Sequence, residues 1–110
     1  MKNTLLIAPV LFAIATTSFA GQELTGKQIA EDRKLGNCLA CHMIVGGTLT
    51  GNIAPPLVAM KARYKNKADL REQIWDPRIK NEHSMMPPFG AHKLLTPTQV
   101  DKVTTYIHSL

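Results

Sequence analysis

The chain has 110 residues, with 13 Lys or Arg against 8 Asp or Glu and only 5% aromatic side chains. That length supports one domain with a thin core. A balance of +5 without a basic block or interleaved aromatics leaves no nucleic-acid footprint, so no nucleic-acid partner is expected.

Lys2 supplies a positive start, Thr4 to Thr17 is nearly uncharged and apolar, and Ser18-Phe19-Ala20 offers the small residues of a signal-peptidase site. These features predict a secretory signal peptide over residues 1–20, cleaved after Ala20, and a periplasmic domain over 21–110. The apolar run is short for a membrane span, which takes roughly 20 residues, so no span is expected in the mature chain. Without Lys2, 12 basic side chains face 8 acidic ones.

From Thr25 to Gly36 the sequence predicts an amphipathic helix, with Thr25 as N-cap and Ile29, Ala30 and Leu35 on its apolar face. It leads into Cys38-Leu39-Ala40-Cys41-His42. C-x-x-C-H is the spacing at which a peptide can be bonded to a haem edge and to its iron together. On one short turn Cys38 and Cys41 can form thioethers to the two vinyl groups of one porphyrin, while His42 turns under the ring toward the metal. Other readings of the pair fit less well. A redox dithiol wants a preceding strand in a βαβ pattern, and the preceding residues read as helix. A zinc site needs two further ligands at close spacing, whereas His83, His92 and His108 are widely scattered. A structural disulfide across four residues is equally disfavoured. One covalent haem c also suits the size, because a large apolar cofactor supplies core that about 90 residues cannot.

Gly46 to Pro56 is loop in composition. Asn66 to Pro77 predicts a second helix, capped by Asn66 and stopped by Pro77, with Leu70 and Ile74 inward. Lys61, Arg63, Lys65, Lys67 and Arg71 form the densest basic run, expected to be a solvated face. Residues 78–95 read as irregular. Thr96-Pro97-Thr98-Gln99 starts a third helix with an N-cap, a first-position proline and a capping-box Gln, and Val100, Val103, Ile107 and Leu110 make its stripe. No strand is expected.

The other axial site of the iron decides whether a haem binds small molecules or passes electrons. The candidate is the Met85-Met86-Pro87-Pro88 stretch, where a thioether favours ferrous iron and two prolines stiffen the loop.

Cys38-x-x-Cys41-His42, a Pro-rich loop, a Pro-stopped helix and Met-Pro before a C-terminal helix resemble a class I cytochrome c across the whole mature chain. The resemblance implies an all-α fold of three main helices and irregular loops around one haem. It also implies that the Pro55 carbonyl accepts a hydrogen bond from His42, that Arg63 meets a haem propionate, and that Met86, nine residues after Pro77, is the sixth ligand rather than Met85. Gly36 to His42, Gly51 to Leu57, and Met85 to Gly90 followed by Leu94-Leu95-Thr96 further resemble the SoxX family, small monohaem subunits of the SoxAX complex of bacterial thiosulfate oxidation. Ala54 and Ala91 depart from that family's usual Gly and basic residue.

The SoxX resemblance implies a heterodimer with a larger SoxA-type haem subunit, together an L-cysteine S-thiosulfotransferase that couples thiosulfate to a cysteine of a transient carrier protein. This chain would be its electron-transfer subunit, relaying electrons to an acceptor, with the catalytic haem on the partner. Phe89, Met85 and Ile53 are the expected apolar docking patch. The main rival is a free-standing periplasmic shuttle to a terminal oxidase; a gas sensor would need a labile sixth ligand.

Overall fold

The computed structural model of the chain describes residues 9, 10, 12–15 and 21–110. Most of the expected leader, including its cleavage site, lies outside the described residues. Four α-helices follow, α1 (Gly26–Glu31), α2 (Met60–Arg63), α3 (Lys67–Trp75) and α4 (Pro97–His108), with 3-10 turns at Cys38–Ala40 and Pro77–Ile79. Among the described residues there is no strand, and no helix is long and apolar enough to cross a membrane.

Two helices start from the same local device. Thr25 and Thr96 each accept the N3 amide on the side-chain oxygen while Gln28 and Gln99 return a side-chain oxygen to the cap amide. Each box satisfies two otherwise unpaired donors, which fixes where the helix begins. Pro97 at the first position of α4 adds a preset φ where no N–H is needed.

α1 is shorter than the sequence pattern predicts. Asp32 is extended, its carboxylate accepts the Lys34 amide at 2.7 Å, and its carbonyl accepts from Leu35 and Asn37. An Asp able to satisfy the backbone locally competes with helix continuation. The chain therefore turns over residues 33–36 and reaches Cys38 from a left-handed Asn37 rather than along a helix axis. α2 lies in a stretch with no helical forecast, and it begins after Ala59, also left-handed.

α4 is the central element, packed against both α1 and α3. Val100, Val103 and Ile107 line its inner face with Ile29 and Ala30 from α1 and Leu70 and Ile74 from α3. Thr104, buried on the same helix, returns its hydroxyl to the Val100 carbonyl at 2.7 Å and so leaves no polar atom unpaired. Ile44, Leu57, Met60, Phe89 and Leu95 extend the core into the two loop arms beside Cys38 and Met86. Leu110 lies past the end of α4, and its carbonyl accepts the Met60 amide at 2.9 Å, tying α2 to the chain's last residue.

Candidate haem-binding site

The Cys38–Ala40 turn closes with Cys41 and His42 amides both donating to the Cys38 carbonyl. One turn thus carries both thiols and the imidazole. Neither cysteine is in a disulfide, and both are half-buried. Burial pushes the Cys38 thiol up to about 11, with the nearby Cys41 adding to the rise and a backbone hydrogen bond opposing it. A redox dithiol works through a thiolate of lowered pKa. Cys38 is tuned in the opposite direction.

The loop after the motif is stitched along it. Gly51 donates to the Leu39 carbonyl at 2.7 Å, Ala54 to Cys41 at 3.0 Å and Leu57 to Met43 at 2.9 Å. Gly51 sits so close that a Cβ there would strike the Ala40 carbonyl and the Cys41 backbone. Within this lacing His42 Nδ1 lies 2.6 Å from the Pro55 oxygen. A carbonyl can only accept, so Nδ1 carries the proton and Nε2 keeps its lone pair. An imidazole held this way is preoriented as a metal ligand.

Arg63 does not stand free beside the loop. Its Nη1 donates to the Pro56 carbonyl at 2.7 Å and lies 3.4 Å from Met60 Sδ. The basic run to which it belongs is partly consumed by internal contacts. Lys67 reaches Thr105, and Arg71 pairs with Asp101 while its guanidinium lies over Trp75, 5.0 Å from the ring centroid.

The second arm runs from the end of α3 to α4. Met85 is 89% exposed, whereas Met86 is half-buried and packed on the core. The Met86 amide donates to Ser84 Oγ at 3.2 Å, and the Gln73 side-chain amide reaches its sulfur at 4.0 Å. Behind Met86 the loop is fastened to α3, since Gly90 and Ala91 amides both donate to the Trp75 carbonyl at 3.1 Å. Leu95 closes the arm by donating to Phe89 at 3.0 Å. Of the three expected docking residues, Met85 and Ile53 are exposed, but Phe89 is only 7% exposed. Its ring belongs to the core because Leu95 and Gly90 fold the chain back over it.

Haem c fits these residues: two unpaired thiols and an oriented imidazole share one turn, and a half-buried thioether is offered from the other arm. Among the described residues no group of three or more His, Cys, Asp or Glu gathers to hold a metal ion instead. Gln73 was invisible as a neighbour of the site because it reaches Met86 through a side-chain contact that no spacing rule encodes, and Met60 because its i, i+3 contact with Arg63 needs the short α2, which the sequence does not forecast.

The cytochrome c family model matches residues 23–110. Cytochrome c6 of Gloeothece citriformis is 31% identical over 109 residues, covering 97% of this chain and 90% of that protein. An uncharacterised lipoprotein of Aquifex aeolicus is 34% identical over 76 residues, though these are only 37% of its own length. A chain in the crystal structure of SoxXA from P. pantotrophus superposes with a TM-score of 0.68 at 26% identity, covering 76% of this chain and 77% of that one. The chain therefore belongs to the cytochrome c family, as a SoxX-like, all-α class I cytochrome c that carries covalent haem c and transfers electrons.

Proposed function

We propose that this cytochrome is the small, single-haem subunit of a SoxAX-type complex, exported to the periplasm by residues 1–20 and relaying the electrons released when thiosulfate is coupled to a carrier-protein cysteine. The observation that carries this reading is the likeness to a SoxXA chain over 76% of the sequence. When bound, the haem supplies a one-electron couple. Cys38 and Cys41 would hold it covalently, and His42 from the motif side and Met86 from the second arm would ligate its iron.

Joining a cysteine thiol to thiosulfate forms one sulfur–sulfur bond and releases one proton and two electrons. This chain has no thiol beyond Cys38 and Cys41, so it cannot hold the sulfur fragment. The bond is made on the larger haem subunit, and this chain accepts the electrons in single steps. Met85 and Ile53, both exposed on the haem-side loops, belong to the surface that meets the partner.

Purification of the complex from cells tests the proposal: a second, larger haem protein is expected at equal stoichiometry. Mass spectrometry of the carrier protein should then find a thiosulfate adduct with both subunits present and none with this chain alone. An adduct formed by this chain alone would overturn the assignment. The second reading, a free-standing electron shuttle, is favoured by the likeness to cytochrome c6 over 97% of the chain. It would be upheld by a cytochrome that purifies alone and reduces a terminal oxidase directly.

A further inference from the structure

We propose that Arg63 is a positioning residue for the axial histidine, bracing the Pro55-Pro56 pair whose carbonyl orients His42. The inference rests on the reading of His42 as an iron ligand. Prolines have no N–H, so a Pro-Pro pair can be tied down only through its carbonyls and its flanking residues. Here the flanks are tied on the motif side, Ala54 to Cys41 and Leu57 to Met43. The two carbonyls go to different partners: Pro55 accepts from His42 at 2.6 Å, and Pro56 accepts from Arg63 at 2.7 Å.

Arg63 is well mounted for this task. It closes α2, its own amide donates to Ala59, and the first residue of α2, Met60, is fastened to Leu110 just past the end of α4. Met60 is buried, and its sulfur supports the guanidinium at 3.4 Å. The charge-assisted bond to Pro56 therefore links the α2–α4 body to the loop that carries the imidazole's acceptor. A guanidinium has five donors, so one spent on Pro56 leaves others for an anion. Bracing and a propionate contact are compatible, and they are separable by experiment.

The test is proton exchange at His42 Nδ1 in the reduced holoprotein, followed by NMR. In Arg63→Met the Nδ1 proton should exchange at least about tenfold faster, while α4 amides keep their native rates. Losing the positive charge alone would slow base-catalysed exchange, which is the opposite direction. Arg63→Lys, which keeps the charge and one donor, should stay within about threefold of native. Should Arg63→Met fail to fold, Arg63→Leu, which likewise has no donor, carries the same expectation. An unchanged Nδ1 rate in a folded neutral variant would overturn the brace, whatever happens at the propionates. A wild-type spectrum without an iron-bound imidazole would overturn the ligation reading, and the brace with it.

Discussion

Replacing Gly90 by alanine should dislodge the arm that presents Met86. A Cβ built at Gly90 falls on the Trp75 ring, closest to Cε3 and Cδ2. The contact is with the fused part of a rigid ring rather than the free tip of a flexible side chain, so relief requires the whole indole or the loop to move. Overpacking of this kind costs about 1–3 kcal/mol. Pushing the loop away also loosens the Gly90 and Ala91 amide bonds to the Trp75 carbonyl, at about 1 kcal/mol each. The expected loss is about 3–5 kcal/mol of unfolding free energy, read from denaturant titration of the holoprotein. The weak near-infrared band of sulfur-ligated ferric haem should fade in parallel, because Met86 is four residues upstream on the same arm. Trp75→Leu should recover part of the loss in a double-mutant cycle, since removing the ring removes the clash. Stability within about 0.5 kcal/mol of native, with the band intact, would refute the reasoning.

Three further outcomes can be measured. Met86→Ala should abolish the sulfur-to-iron band and Met85→Ala, at an 89% exposed side chain, should leave it; the reverse would transfer the ligand role to Met85. Thr96→Ala removes the cap of α4 and should lower stability by about 1 kcal/mol in denaturant titration, and a neutral result would mean that Pro97 alone sets the helix start. The Asp76 carboxyl is held below the ordinary range, chiefly because the Arg78 side chain hydrogen-bonds to it. Its contribution is therefore fully present above the ordinary Asp pKa of about 3.9 and fades as pH falls through the lower folded value. Asp76→Asn, which keeps the oxygen that caps the Arg78 amide, should accordingly destabilise at neutral pH with a deficit that shrinks as pH falls below the ordinary Asp range, whereas a deficit independent of pH would refute the linkage.

What was legible in the sequence was local. The Thr25 and Asn66 caps, the Thr96 capping box and the C-x-x-C-H turn depend on residues within a few positions of each other, and spacing alone encodes them. The all-α class followed from these starts and stops. What failed was decided over distance or by competition. α1 was predicted to run to Gly36, but Asp32 captures the backbone first. α2 has only four residues and is held by Met60 bonding to Leu110, a partner that no window of sequence contains. Phe89 is expected in an exposed docking patch with Met85 and Ile53, yet the Leu95-to-Phe89 bond folds it inward. The propionate contact of Arg63 is what the family resemblance implies and stands beside a second bond, to Pro56, that forms only where α2 and the proline loop come together.

The measurement that bears most directly on the whole account is the mass of the purified chain after acid-acetone extraction. Haem joined through Cys38 and Cys41 should remain with the protein, and the mass should exceed that of the bare mature chain by one haem, with Cys38→Ala/Cys41→Ala losing it. Haem released into the solvent, leaving the chain at its bare mass, would contradict the covalent site on which the electron-relay function depends.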